Sequence, residues 1–256
     1  MAVDYQKEGK VAIFTLNRPQ AMNALNMEAV HELSEAVKDF RDDPELWVGI
    51  ITGAGEKAFC GGADIKDTLS FMKDHRHDQW SFPPAIWRGF ELWKPLIAAV
   101  NGFALGGGLE LVLSCDLRVA AEGARFGTPE VGLGLIPGFG GTQRLSRMVP
   151  WCKAAEMLLM AKLIDAQEAY RIGLVNKVVP PAEVMSTARE WAEAICGLAP
   201  LAVRAAKEAM IRGYEMPLED GLRLENALCA YVMGTEDFNE GTTAFVEKRK
   251  PDYKAK

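Results

Sequence analysis

Two glutamates stand where almost nothing else is charged. Glu110 lies in "ALGGGLELVLSC" and Glu130 in "FGTPEVGLGLIPG". A carboxylate among apolar residues is costly unless it is paired or its pKa moves, and two that share a site push their pKa values apart. One residue type can then supply both an acid and a base. Spacing alone leaves a second reading open, with Glu110 on a helix face and Glu130 as an exposed loop carboxylate.

Glycine-rich turns accompany this pair. "FCGGADIK" and "GFALGGGLE" each bring backbone N–H groups to a point where the chain leaves a strand. Two such donors make an oxyanion hole, and a helix beginning at Gly107 would add its partial positive end. Glycine inside a helix costs roughly 0.5–1 kcal/mol relative to alanine, so Gly106, Gly107 and Gly108 imply a close neighbour, either another helix or a substrate. Neither loop has the G-x-G-x-x-G or G-x-x-x-x-G-K-[ST] spacing of dinucleotide or phosphate cradles.

Other chemistries have less to work with. The chain has three histidines, His31, His75 and His77, and lacks the G-x-S-x-G elbow of a serine nucleophile. His75 and His77 in "KDHRHDQW" have no second ligand cluster and read as a solvated charged loop, so no metal is expected.

The 256 residues are 49% hydrophobic and 25% charged, enough for one large core or a core with an appended lobe. A net charge of -6 with scattered basic residues argues against nucleic acid as a partner. Five cysteines without C-x-x-C spacing read as reduced thiols. The start "MAVDYQKEGKVAIF" has no signal-like apolar region, and a cytoplasmic location is expected. Pro95 to Cys115 is apolar enough to resemble a membrane span, but the Asn101-Gly102 turn and Glu110 argue for a buried strand, turn and helix instead.

The elements that must hold the pair follow from periodicity. Val11–Leu16, Trp47–Thr52 and Pro95–Val100 read as strands, and Met27, Val30, Leu33, Val37 and Phe40 recur at helical spacing. This alternation is α/β. Beyond Pro150 the chain reads as helices, the first being "WCKAAEMLLMAKLIDAQEAYRIG", with "LVNKVV" as the one strand candidate. No low-complexity linker precedes this lobe, so close docking is expected.

Together "LNRP", "GEKAFCGGADIK", "AAVNGFALGGGLELVLSCD", "FGTPEVGLGLIPGFGGTQRL" and "EGTTAFVEKRKP" resemble the enoyl-CoA hydratase/isomerase, or crotonase, superfamily from about Val11 to Pro251. The resemblance implies an α/β spiral of repeated ββα units over residues 1–195 and a C-terminal helical trimerisation region over 196–256. It implies a homotrimer or homohexamer. Carried over residue by residue, the oxyanion donors fall on the N–H groups of Ala63 and Gly107, and the catalytic carboxylates on Glu110 and Glu130. Ala63, Asp64, Ile65 and Lys66 match the segment that contacts coenzyme A. Isomerases of the family commonly keep only the carboxylate matching Glu130, so the presence of both favours hydration.

The expected function is therefore reversible addition of water across the α,β double bond of an acyl-CoA thioester, with no cofactor beyond the substrate's own coenzyme A. Sister activities remain as alternatives: double-bond isomerisation, a carnitinyl-type racemase or hydratase, or ring-cleaving hydrolysis. A non-catalytic RNA-binding member is disfavoured by the acidic balance. Phe139 stands where the family often has a small residue, and residues 70–93 are rich in aromatics. Two readings of that stand: ordinary helix packing, or a bulky, alicyclic or aromatic-derived acyl group.

Overall fold

The computed structural model describes residues 1–78 and 82–256. The hairpin β1 (Val3–Glu8) and β2 (Val11–Leu16) leads into α1 (Met27–Asp42). Asn26 caps that helix by accepting from the Ala29 N–H at 3.0 Å, and Val30, Leu33, Val37 and Phe40 form its buried stripe. Three turns of a spiral follow. The first is β3 (Val48–Gly53), β4 (Ala58–Cys60) and α2 (Thr68–Asp74). The second is β5 (Leu96–Val100), β6 (Phe103–Leu105) and α3 (Gly107–Leu113). In the third, β7 (Leu117–Ala121) and β8 (Arg125–Gly127) are followed by a short 3-10 turn, Pro129–Leu133. The first two turns are the ββα repeat that the resemblance implies, and the third has a 3-10 turn in the helix's place.

The first strand of each turn joins one sheet and the second joins another. The large sheet runs β1-β2-β3-β5-β7 and ends on a late strand, Lys177–Val179; the small one runs β4-β6-β8 and ends on Ile164–Asp165. Neighbours from β2 through β7 are parallel, as are β4, β6 and β8. Every residue of β3 and β5 is buried, which is why they read as continuous apolar runs without alternation. Parallel order also sets the carboxyl ends of β4, β6 and β8 side by side. The loops leaving those ends carry Ala63, Gly107 and Glu130.

The C-terminal half departs from the sequence reading at one place. After α4 (Gly141–Met148), the stretch 151–173 expected as a single helix is instead α5 (Trp151–Leu159), β9 (Ile164–Asp165) and α6 (Ala166–Arg171). Ala161 takes a left-handed φ of 53°, which ends the helical run, and Asp165 restarts it by accepting from the Glu168 N–H at 2.8 Å. After β10 (Lys177–Val179), α7 (Val184–Cys196) packs on β3, β5 and β7. α8 (Pro200–Gly213), α9 (Leu218–Met233) and α10 (Glu236–Glu247) complete the chain. The Lys207 ammonium on α8 anchors this region to the core, reaching the Asp116 carboxylate at 2.6 Å and the Lys94 carbonyl at 3.0 Å. Among the described residues no helix is long and apolar enough to cross a membrane.

Candidate active site

The glycine triplet after β6 divides its work. Gly106 has φ 53° and ψ −125°, and a Cβ there would lie 2.9 Å from the Glu130 Oε1, so glycine permits both the turn and the approach of that carboxylate. Gly108 lies so close to the Cys60 main chain that a Cβ would stand 2.8 Å from the Cys60 carbonyl carbon. Between these, Gly107 opens α3 with its amide facing a pocket, and that pocket is also lined by Gly62, Ala63, Glu110 and Glu130. The pocket encloses about 570 Å³, its open mouth included.

Ala63 enters from the neighbouring loop. The Leu25 N–H donates to the Gly62 carbonyl and the Asp64 N–H donates to the Leu25 carbonyl, both at 2.8 Å. In such a parallel bridge the intervening residue turns its own N–H the other way, toward the pocket. A Cβ on Gly107 would lie 3.4 Å from the Ala63 nitrogen, which puts the two amides on one side of one small space. Among the described residues neither amide has an acceptor within the chain. Two adjacent free N–H donors can hold one oxygen that gains negative charge.

Glu110 is 1% exposed, one helical turn beyond Gly107. Its Oε1 accepts from the N–H groups of Phe139 and Gly141, each at 2.7 Å. Burial pushes its pKa up to about 7; the two amide donors oppose that rise and the nearby Glu130 adds to it. Glu130 is 8% exposed, and its Oε2 is buried without a hydrogen-bond partner among the described residues. Burial raises its pKa as well. Two carboxyls on one pocket, each with a raised pKa and an oxygen left unbonded, can trade protons with a molecule placed between them.

The other expected contact residues divide. Ile65 lines the pocket mouth and is 63% exposed. The Asp64 carboxylate is engaged elsewhere, receiving Arg18 Nη1 at 3.1 Å and the Lys66 N–H at 3.1 Å, and Lys66 is exposed beside it. Residues that sequence reading passed over complete the pocket. Leu69 and Met72 of α2, Leu133 at the end of the 3-10 turn, and Leu135 and Ile136 after it supply apolar walls. The loop 138–141, whose amides hold Glu110, carried a signal in "IPGFGG", a third glycine-rich turn of the kind read elsewhere as presenting N–H groups. Arg144 ties it down by donating to the Phe139 carbonyl at 3.1 Å and the Trp87 carbonyl at 2.8 Å.

Of the aromatic-rich segment 70–93, Trp80 falls outside the described residues. Phe82 and Trp87 stand behind Phe139, at ring-centroid distances of 5.2 and 4.9 Å, while Phe139 itself lines the pocket. Among the described residues no group of three or more His, Cys, Asp or Glu side chains is placed to hold a metal ion.

Comparison with known proteins agrees with this architecture. Residues 6–256 match the family model described as enoyl-CoA hydratase/isomerase. A short-chain-enoyl-CoA hydratase of Clostridium acetobutylicum is 48% identical over 96% of this chain and 94% of its own length. An (E)-benzylidenesuccinyl-CoA hydratase of Thauera aromatica is 43% identical over 99% of both chains. The crystal structure of an enoyl-CoA hydratase from Bacillus anthracis superposes with a TM-score of 0.93 at 40% identity, covering 100% of each chain. With fold, spiral repeat and full-length similarity in agreement, the chain belongs to the enoyl-CoA hydratase/isomerase family of the crotonase superfamily.

Proposed function

We propose that this protein is a hydro-lyase that adds water reversibly across the α,β double bond of a trans-2-enoyl-CoA thioester. The observation that carries this is the meeting of two unpaired amides, Ala63 and Gly107, with two buried carboxyls, Glu110 and Glu130, on one pocket. The thioester oxygen lies between the amides. Charge drawn toward it leaves the β-carbon open to water, and one preorganised donor of this kind is worth about 10²–10³ in rate.

The proton traffic follows from the carboxyls' surroundings. Two amides fix the Oε1 of Glu110, so its Oε2 takes the proton of a water as the water oxygen bonds to the β-carbon. Glu130 carries a proton to the α-carbon, and the thioester carbonyl reforms. Atoms balance without a further reactant, and the reverse path is dehydration. The substrate's own coenzyme A is the one group beyond the acyl chain that the reaction needs. The rest of the coenzyme, beyond the thioester sulfur, runs outward past Ala63, Ile65 and Lys66 at the pocket mouth.

Residues 1–195 form the catalytic spiral and 196–256 the region through which copies associate as a trimer or a dimer of trimers. The helices after residue 200 support this, since α9 buries none of its residues within the chain. Incubation with a trans-2-enoyl-CoA and identification of the product tests the activity. A 3-hydroxyacyl-CoA is expected; a shifted double bond or a cleaved carbon skeleton would assign the site to a sister reaction of the family.

A further inference from the structure

Phe139 does two things at once. Its main chain holds the Glu110 carboxylate, and its ring, 6% exposed, forms pocket wall beside Gly107, where a Cβ would stand 3.3 Å from the ring. The ring cannot swing aside without disrupting what lies behind it. Trp87, 5% exposed, stacks on it with the planes 22° apart, and Phe82 braces it at 5.2 Å. Arg144 then clamps the carbonyls of both Phe139 and Trp87.

The direction of the acyl chain follows from the proposed chemistry. With the carbonyl at Ala63 and Gly107, the β-carbon must face Glu110, and Glu110 is held by the amide of Phe139. Atoms beyond the β-carbon therefore run toward the Phe139 ring. The pocket mouth is open, with Ile65 63% exposed there. Of the described aromatics of this region, Phe82 and Trp87 stack against the Phe139 wall and do not line the pocket.

We propose that Phe139 is the specificity-determining residue of this enzyme: its braced ring ends the acyl site, admits short straight enoyl chains and rejects long or cyclic ones. The proposal rests on the hydratase reading for the placement of the chain. It takes the opposite direction from the bulky acyl group that the aromatic sequence suggested.

The test compares kcat/KM for four-carbon and ten-carbon trans-2-enoyl-CoA and for a cyclohexene-carboxyl-CoA, in wild type, Phe139→Leu and Phe139→Ala. A few methylenes without room are worth on the order of 10² in discrimination. Wild type should favour the four-carbon substrate by at least about that factor, and both variants should raise the ten-carbon to four-carbon ratio at least ~10-fold. Each ratio is taken within one preparation, so partial unfolding does not alter it. In parallel, calorimetry measures binding of the unreactive butyryl-CoA and decanoyl-CoA, which should show the same reordering. Equal kcat/KM on both chain lengths in wild type, preference for the cyclic substrate, or ratios unmoved by both variants would overturn the proposal. Absence of hydration on every substrate would instead overturn the hydratase reading, and the binding arm would still decide whether Phe139 is the wall.

Discussion

Glu110 combines a nearly complete loss of solvent with two amide donors to one oxygen, and the loss of solvent dominates, since its pKa rises to about 7. The consequence for stability has a definite sign. Between the ordinary value of 4.5 and about 7 the native state keeps a proton that the unfolded chain has lost, so stability falls as pH rises through that window. Glu110→Gln keeps an oxygen for the Phe139 and Gly141 amides and removes the charge. It should therefore gain on wild type between pH 4.5 and 8, by up to on the order of 3 kcal/mol, in urea unfolding; an unchanged gap across that range would contradict the account. Activity should show the opposite slope. Below about pH 7 the pair takes up a proton, the water loses its base and hydration should decline, with the apparent pKa belonging to both carboxyls together. The two glutamates were legible in the sequence because their neighbours are uncharged. The groups that hold Glu110 were not, because the Phe139 amide lies 29 residues along the chain and only the folded loop brings it there.

At the scale of elements, the parallel small sheet is what makes a site of three loops. β4, β6 and β8 have three residues each, too short for periodicity to register, and all three escaped the sequence reading. β2, β3 and β5 of the large sheet and the amphipathic α1 were legible because each shows a clear apolar run or stripe, while β7, with Arg118 inside it, escaped. The glycine loops were legible as loops, yet their pairing depends on those short strands. This division of labour predicts a contrast between adjacent residues. Gly108→Ala would press α3 against the Cys60 backbone and should cost about 1–3 kcal/mol of stability, with turnover per folded molecule largely kept. Gly107→Ala puts its methyl between the Phe139 ring and the Ala63 amide and should lower turnover more than stability. Denaturant midpoint and turnover measured on the same preparations separate the two. Loss of stability without loss of turnover at Gly107 would mean that its neighbour is packing and that the oxyanion site lies elsewhere.

The whole molecule leaves large apolar side chains uncovered on its last three helices. Met210, Leu218, Tyr231 and Phe245 are 75%, 78%, 59% and 86% exposed, more apolar surface than one chain leaves in water. Sedimentation of the 28.1 kDa chain at micromolar concentration should show a trimer or hexamer, and a monomer would contradict the association proposed for residues 196–256. The sequence foretold this lobe as helical because its apolar residues recur at helical spacing, but periodicity does not say whether a face meets its own core or another copy. The central claim, however, is that the two carboxyls act as a unit in adding one water, Glu110 as its base and Glu130 as the acid toward the α-carbon. The measurement that tests it most directly is the hydration rate of a four-carbon trans-2-enoyl-CoA by Glu110→Gln, Glu130→Gln and the double variant, each confirmed to be folded. Each single change should lower kcat by at least about 10²-fold, and the double should fall far short of the product of the two, because groups acting as a unit are not additive. Near wild-type turnover in either single variant, or fully multiplicative losses in the double, would contradict the account.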